Sequence, residues 1–148
     1  MYDQPRPHPS APVMTFDQVL ERVRYEGAYP TRERAAEAVH QVLAALGRQL
    51  TGEECYDLAH CLPIEAAVTL TAQIPDAENL TGWGFVKDLA ARTGATPATA
   101  RWDTGAVLTV AGRLAGPDLL ARLLARLPDG YALLFGQAEL RRPQPVAA

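Results

Sequence analysis

The sequence predicts an all-α protein, a helical bundle built from two tandem related units of about four helices each in a pseudo-twofold arrangement. Apolar residues recur at helical spacing, and no segment shows the alternation that is typical of a half-buried strand. Helix-start signals, in which a capping residue precedes an acidic residue or a proline, recur along the chain. An internal repeat further indicates that the bundle has two halves.

The internal repeat joins two stretches of similar sequence. The first, LAALGRQLTGEECYDLAHCLP, covers residues 43–63, and the second, LTVAGRLAGPDLLARLLARLP, covers residues 108–128. Aligned without a gap they are identical at six positions, which include Gly47 with Gly112. A unit of about 60 residues buries too little apolar surface to be comfortably stable alone, so we expect the two halves to share one core.

Helix boundaries in the first half follow from local signals. Capping-box patterns at Thr15–Gln18 and Thr51–Glu54 predict the starts of the first and third helices, and Thr31 precedes the second helix. Gly27 is expected to end the first helix, since glycine is the usual left-handed cap. Pro63 follows a leucine and separates the third helix from a short fourth helix.

The second half repeats these landmarks. Phe85 opens an amphipathic helix as Phe16 does, and Gly94 is expected to end it. Thr96 and Gly116 each precede a proline, which is favoured at the first position of a helix. Both halves therefore follow one plan: a short helix, a long helix and a third helix separated by glycine turns, then a Leu-Pro break and a short fourth helix.

This interpretation divides the chain into five segments. They are a Pro-rich leader over 1–13, helical repeat 1 over 14–75, a hinge over 76–82, helical repeat 2 over 83–140 and a tail over 141–148. The leader and the tail are rich in proline and poor in large apolar residues, so we predict that both are disordered.

The formal charge of −3 argues against a dedicated nucleic-acid-binding protein, which usually has a basic balance. The charge is unevenly distributed. Residues 13–75 carry five arginines and nine acidic residues, whereas residues 83–142 carry eight basic and five acidic residues. We expect the two halves to attract each other, either within one molecule or between molecules.

Composition also bears on where the protein is found. No apolar run approaches the roughly 20 residues that cross a bilayer, and the N-terminal residues lack the pattern of a secretory signal. We therefore expect a cytoplasmic protein that does not contact a membrane. Cys55 and Cys61 lie on different faces of a predicted helix, so we expect free thiols rather than a disulfide.

The best candidate for a metal site is the predicted third helix. Glu53, Asp57 and either His60 or Cys61 are spaced to place three ligands on one face, with zinc or another divalent ion as the expected guest. The alternative is an acidic first turn that the helix dipole favours, followed by a solvated histidine. One helix seldom supplies a whole site, and the second copy lacks these residues. We therefore predict no metal and no cofactor.

No catalytic site is predicted either. His60 adjoins Cys61, but neighbouring helical residues point about 100° apart and do not face each other. The sequence contains no serine-hydrolase elbow, P-loop or dinucleotide-binding glycine pattern. We predict that the protein is not an enzyme.

Three residues are candidates for binding a protein partner. Trp102 aligns with Glu37 of the first copy, so it either packs inside the molecule or is an exposed anchor for a partner. Arg122 and Arg126 lie one helical turn apart. They are expected to form a solvated basic face, to pair with acidic residues of this or another subunit, or to bind phosphates, and these alternatives stay open. Trp83, beside the predicted hinge, is expected to seat the start of the second half.

The order of these landmarks resembles an uncharacterised bacterial family, of actinobacterial type, which is a domain of unknown function built from duplicated small helical repeats. The resemblance rests on FDQVLERV, AVHQVLAALGRQLTGEE and DLAHCLP in the first half, and on FVKDLAARTGATP, AVLTVAGRLAG and LLARLP in the second. It covers roughly residues 14–136 and implies no activity, so no catalytic residue is transferred. The second copy departs from the pattern at Pro117, Leu119 and Leu120, where acidic residues would follow the glycine turn.

These observations together predict a non-catalytic interaction or adaptor module whose partner is another protein or a second copy of the chain. The alternative function is binding of a metal or small ligand by the face that carries Glu53, Asp57, His60 and Cys61. A nucleic-acid partner is not expected, because the net charge is negative.

Overall fold

The computed structural model describes residues 13–137, and within them the chain is α-helical without a strand. The helices are α1 (Phe16–Gly27), α2 (Arg32–Gln49), α3 (Glu53–Ala59), α4 (Ile64–Thr71), α5 (Gly82–Thr93), α6 (Pro97–Ala115), α7 (Pro117–Arg126) and α8 (Tyr131–Leu134). The all-α prediction is confirmed. Apart from its last residue, the predicted leader lies outside the described residues, and so does the predicted tail.

Threonine side chains begin most of the longer helices. Thr15 forms the predicted capping box: its hydroxyl accepts a hydrogen bond from the Gln18 amide, and the Gln18 side chain accepts one from the Thr15 amide. Thr31, Thr81 and Thr96 cap α2, α5 and α6 in the same way, each accepting from the amide three residues on. Each hydroxyl satisfies a backbone N–H group that has no partner inside its helix.

One local prediction is wrong. Helix α3 does not use the Thr51 capping box, because Gly52 precedes the helix at φ +82° and makes no side-chain hydrogen bond. Helix α1 ends at Gly27 as predicted, but the left-handed cap is the next residue, Ala28, at φ +54°. Gly27 lacks a side chain for another reason, since the ring of Tyr29 occupies the space that a Cβ atom would fill.

The two long helices, α2 and α6, contact each other at the centre of the fold. Helices α1 and α5 each pack against both of them, α4 packs against α2, α8 packs against α6, and α3 packs against α7. All eight helices contribute buried apolar side chains to one continuous core, among them Leu46, Phe85, Leu108, Leu123 and Phe135. The prediction of a shared core is therefore confirmed.

The segment between α4 and α5, which includes the predicted hinge, is tied to its surroundings by hydrogen bonds. The Gln49 side chain accepts from the Leu80 amide at 2.8 Å and donates to the Asp76 carboxylate at 3.2 Å. The Asp76 amide donates to the Arg48 carbonyl, and the amide of Gly82 donates to the Asp129 carbonyl. The segment is thus bound to α2 on one side and to the loop before α8 on the other.

The described part of the chain contains no helix suited to span a membrane. None of the eight helices there combines the length and the apolar character that crossing a bilayer requires.

Candidate functional site

A buried polar cluster joins α6 to the connection between α1 and α2. Asp103 in α6 is only 4% exposed, and its carboxylate accepts a hydrogen bond from the Tyr29 hydroxyl at 2.5 Å. The guanidinium of Arg34, in the first turn of α2, donates to both oxygens of the same carboxylate at 3.1 and 2.9 Å. That guanidinium also lies 5.0 Å from the centre of the Tyr29 ring, within the range of a cation–π contact.

The surroundings in this cluster shift the pKa values of Tyr29 and Arg34. Burial, and then the hydrogen bond to Asp103, raise the pKa of Tyr29 well above its ordinary value. The hydrogen bond from Arg34 to the Asp103 carboxylate raises the pKa of Arg34. Tyr29 therefore stays a neutral donor and Arg34 a cation. Because both oxygens of Asp103 are occupied within the protein, the cluster stabilises the fold and offers no group for proton transfer to a ligand.

Trp102, the residue before Asp103, contacts the same connection from the surface. Its indole Nε1 donates a hydrogen bond of 2.8 Å to the carbonyl of Gly27 at the end of α1. The residue is nevertheless 58% exposed. The indole is thus anchored within the molecule, as one of the two predicted alternatives requires, and much of it faces solvent. Binding of a partner by Trp102 stays a prediction.

Two consecutive residues of α6 therefore hold the connection between α1 and α2. Trp102 binds its first part through Gly27, and Asp103 binds its second part through Tyr29. The Tyr29 ring packs directly on Gly27, so the two contacts lie side by side. The indole of Trp102 is therefore held in position through Nε1, its only polar atom.

Tyr29, Arg34 and Asp103 are not among the residues that the sequence indicates as functional. One signal was present, because Asp103 falls between Ala100 and Val107 at the spacing of a buried helical face. A charged residue on such a face requires a partner. Sequence spacing does not identify that partner, since Arg34 is 69 residues away along the chain.

The predicted arginines of α7 lie against α3 of the same molecule. Arg122 forms an ion pair with Asp57 at 3.0 Å, and Arg126 lies 3.4 Å from a carboxylate oxygen of Glu54. A third pair joins Arg113 of α6 to Glu26 of α1 at 3.2 Å. The expected attraction between the acidic first half and the basic second half thus operates within one molecule.

The four candidate metal ligands on α3 and just after it are separately engaged or exposed. Asp57 pairs with Arg122, and the Cys61 thiol donates to the backbone carbonyl of Asp57. His60 donates from Nδ1 to the Tyr56 carbonyl at 2.8 Å, and Glu53 is exposed. Within residues 13–137 no group of three His, Cys, Asp or Glu side chains is placed to hold a metal ion.

The two cysteines are free thiols. Cys55 is buried and Cys61 is partly buried. Burial raises the pKa of both thiols, and the charge of Asp57 raises that of Cys61 further. Both sulfurs are held in the thiol form, which is neither the nucleophile nor the metal-binding form.

Two surface cavities lie at matching places in the two halves. One, of about 230 Å³, lies where the end of α2 meets α3 and α4. The other, of about 320 Å³, lies where the end of α6 meets α7 and α8. Residues 65 positions apart line both, including the pairs Gly47/Gly112, Thr51/Gly116, Cys55/Leu120 and Leu70/Phe135.

Large apolar side chains are also exposed on α4 and α5. Ile64 and Val68, one turn apart on α4, are 70% and 54% exposed. Trp83 in the first turn of α5 is 59% exposed, although it is predicted to seat the start of the second half. These side chains and Trp102 are among the exposed large apolar groups that could contribute to a docking surface.

The fold and the site together define an all-helical protein with a single core and an anchored, exposed tryptophan. Its particular family is given by a family model, described as "Uncharacterized conserved protein (DUF2267)", that matches residues 16–134. The chain belongs to this family, so the expected membership in an uncharacterised family is confirmed. No curated protein matches the chain.

Proposed function

We propose that the protein is a non-catalytic interaction module, made of two tandem four-helix units related by a pseudo-twofold axis, that binds a protein partner through the exposed face of Trp102. The duplicated architecture supplies a rigid support, and the indole supplies the anchor. The partner is another protein or a second copy of the chain.

The first helices of the two units support the duplication. Helices α1 and α5 both contain 12 residues and both follow a capping threonine. Each is followed by a left-handed residue, which is Ala28 after α1 and Gly94 after α5. In this register Val19, and not Phe16 as the sequence indicates, corresponds to Phe85, and both side chains are buried.

The longer helices and their neighbours support it independently. At a constant offset of 65 residues, buried positions coincide in the pairs Leu43/Leu108, Leu58/Leu123, Leu62/Leu127 and Leu70/Phe135. A Cβ atom at Gly47 would meet Leu70, and one at Gly112 would meet Phe135, the residue equivalent to Leu70. The matching cavities of the two halves follow from the same equivalence.

The packing pattern supports a twofold relation in particular. An axis that exchanges the units turns α1 into α5 and α2 into α6. Under such an axis the contact of α1 with α2 corresponds to that of α5 with α6, and the contact of α1 with α6 corresponds to that of α5 with α2. All four contacts are present. The contacts of α2 with α6 and of α3 with α7 map onto themselves, so the axis passes between these pairs.

The observation that carries the interaction role is the fixed, exposed indole of Trp102. Tryptophan is enriched among residues that dominate binding energies at protein interfaces. An anchor held in place before binding loses little conformational freedom on binding, which favours affinity. The hydrogen bond from Nε1 to the Gly27 carbonyl provides this fixation. Arg122 and Arg126, predicted as partner-binding residues, are occupied by Asp57 and Glu54 and would contribute only by exchanging these contacts.

The alternative function, metal or small-ligand binding at Glu53, Asp57, His60 and Cys61, has less support. Asp57 is paired with Arg122, and Cys61 is held as a thiol. Elemental analysis of the purified protein, with thermal melts in zinc and in chelator, tests this alternative. Bound zinc, with a melting temperature that falls in chelator, would favour it over the interaction role.

The interaction role is tested by comparing two tryptophan variants. Trp102→Ala removes the anchor, and Trp83→Ala removes an equally exposed indole elsewhere. Light scattering after size exclusion measures self-association, and pull-down from lysate followed by mass spectrometry measures capture of other proteins. We expect Trp102→Ala to lose binding in one of these measurements while Trp83→Ala keeps it. A wild-type protein that is a strict monomer and captures nothing specific would refute the proposal.

Trp102→Ala also removes the hydrogen bond to Gly27, so a folding control is needed. Trp102→Phe removes the same hydrogen bond and keeps an aromatic ring. We expect Trp102→Phe to retain part of the binding. Circular dichroism melts of both variants separate a loss of contact from a loss of fold.

A further inference from the structure

We propose that the partner of Trp102 is a second copy of this chain, and that the Trp102 and Arg101 side chains of one copy dock on the outer face of α4 in the next. This inference rests on the proposed function and specifies its partner. Two surfaces support it. The first, in the first half, is apolar and carries one acidic residue. The second, in the second half, is aromatic and carries one basic residue.

Helix α4 has an apolar side that no described residue covers. Ala66 and Leu70 face inwards and are fully buried, whereas Ile64 and Val68 lie on the opposite side and are mostly exposed. The only charged residue of this helix is Glu65, which is exposed beside Ile64. Within residues 13–137 Glu65 forms no ion pair. We call Ile64, Glu65 and Val68 the α4 patch.

The complementary surface is the outer side of the first turns of α6. Trp102 offers its exposed ring there, and Arg101 extends along the helix so that its guanidinium lies beside Gly105. Gly105 is one turn from Trp102, so the positive charge lies next to the indole. We call Arg101 and Trp102 the α6 patch.

Charge and the fixation of the indole together select the pairing. In the second half the described arginines at 92, 113, 122 and 126 each have a carboxylate partner inside the molecule. Two other basic residues there, Lys87 and Arg101, form no ion pair among the described residues, and each lies near an exposed tryptophan. Trp102, next to Arg101, is fixed by its hydrogen bond to Gly27, whereas the Trp83 indole makes no hydrogen bond within residues 13–137. Glu65 in the first half forms no ion pair either. Each patch thus combines an exposed apolar group with one charge, and the charges of the two patches are opposite in sign. This favours the encounter of the two patches and fixes their relative orientation.

The two patches are different surfaces of the same molecule, so the contact is heterologous. Each copy then offers one α4 patch and one α6 patch, and association continues head to tail unless the rotation closes a ring. The expected product is a mass that grows with concentration beyond a dimer, or a closed ring of more than two copies.

The first experiment measures mass against concentration by sedimentation velocity for the full chain. We expect wild-type mass to rise with concentration, and Trp102→Ala and Val68→Ser to shift the rise to at least about tenfold higher concentration. Trp83→Ala is the matched control and should follow the wild type. A wild type that stays monomeric throughout, or a Trp83→Ala variant as impaired as Trp102→Ala, would overturn the inference.

The second experiment exchanges the charges. Glu65→Lys and Arg101→Glu each place like charges on both patches, and we expect each to weaken self-association at least about tenfold. The double variant restores opposite charges and should recover the wild-type behaviour. An equimolar mixture of the two single variants should also assemble, because each patch then finds an opposite charge on the other protein. Lys87→Glu, which changes an exposed charge near Trp83, is the control.

Failure of the double variant and of the mixture to recover assembly would overturn the assigned contact. The outcome is also distinguishable from failure of the proposed function. If the chain is monomeric at every concentration and still captures another protein through Trp102, the self-association inference is overturned and the interaction role stands. If Trp102→Ala changes neither measurement, both are overturned.

Discussion

At the scale of single residues, Asp103 is a buried charged position whose partners come from a distant part of the chain. It lies at a buried position of α6, is ion-paired with Arg34 and accepts a hydrogen bond from Tyr29. In the proposed duplication it corresponds to Ala38, which is also buried, so the polar cluster would be confined to one half. The cluster lies next to Trp102 and ties this part of α6 to the connection between α1 and α2.

Replacement of Asp103 by alanine should be strongly destabilising. It leaves the Arg34 guanidinium with only the more distant and more exposed Glu37 carboxylate, at 3.5 Å, and the Tyr29 hydroxyl without an acceptor. We expect a cost of about 3 kcal/mol in the free energy of unfolding. Urea denaturation measures this change. Asp88→Ala, which breaks the more exposed pair with Arg92, is the control and should have a much smaller effect. Equal losses in the two variants would contradict the role assigned to the cluster.

Tyr29 should make the stability of the protein sensitive to alkaline pH. Its pKa is raised in the folded state by burial and by Asp103, whereas the unfolded chain titrates near the ordinary value of 10. The contribution of Tyr29 to the free energy of unfolding is therefore complete below pH 10. It is lost as the pH rises above 10, because the unfolded state then releases the tyrosine proton and the folded state keeps it. Unfolding in urea between pH 8 and 11 tests this.

The comparison uses two phenylalanine variants. Tyr29→Phe should show a shallower alkaline loss of stability than the wild type. Tyr131 and the two thiols also have raised pKa values, so part of the loss should remain. Tyr25→Phe, at an 83% exposed position, should follow the wild-type curve. A Tyr29→Phe curve parallel to the wild type would count against the argument.

At the scale of helices, Gly47 of α2 and Gly112 of α6, which correspond in the proposed duplication, lie against different kinds of neighbour. Gly47 lies against the backbone carbonyl of Leu70, so α2 and α4 approach closely. Gly112 faces the side chains of Phe135 and Leu120, where a Cβ atom would lie 3.3 and 3.4 Å from the nearest carbons. The first contact is with rigid backbone and the second with side chains that can adjust.

The two glycines should therefore respond differently to the same substitution. Gly47→Ala forces α4 away from α2 and should lower the free energy of unfolding by about 2–3 kcal/mol. Gly112→Ala gains helix propensity of about 1 kcal/mol against a modest packing cost, so its net effect should lie within about 1 kcal/mol of zero. Thermal and urea denaturation of the pair measure the difference. Similar losses at both positions would contradict the packing described.

At the scale of the whole molecule, the two halves of the described chain are joined by one core. Their helices share a continuous core, and ion pairs join Glu26 to Arg113, Asp57 to Arg122 and Arg34 to Asp103 between the halves. The segment between α4 and α5 is hydrogen-bonded to α2 and to the loop before α8. We therefore expect the two halves to fold together.

Unfolding should consequently occur in one transition. Both tryptophans lie in the second unit, so their fluorescence reports on that unit, whereas far-ultraviolet circular dichroism reports on all helices. We expect the two signals to give the same midpoint in urea. A fluorescence transition separated from the circular dichroism transition would show that the units unfold independently.

Much of the fold was predictable from the sequence because its determinants are local. Threonines such as Thr15 and Thr96 begin helices by bonding the amides of the next turn, and the spacing of apolar residues identifies the buried face. The prediction at Thr51 failed because Gly52, with its positive φ, takes the cap position instead. The helix end at Gly27 is where the sequence predicts it, but the left-handed residue is Ala28, and Gly27 is required by the neighbouring ring of Tyr29.

The sequence by itself therefore determined the helices, the shared core and the attraction between oppositely charged halves, since each depends on neighbouring residues or on composition. Only the tertiary structure decided that Arg34 and Tyr29 meet Asp103, that Arg122 and Arg126 bind α3, and that Trp102 is both anchored and exposed. These contacts join residues far apart in the chain. Their formation depends on how the two units pack, which local spacing does not specify.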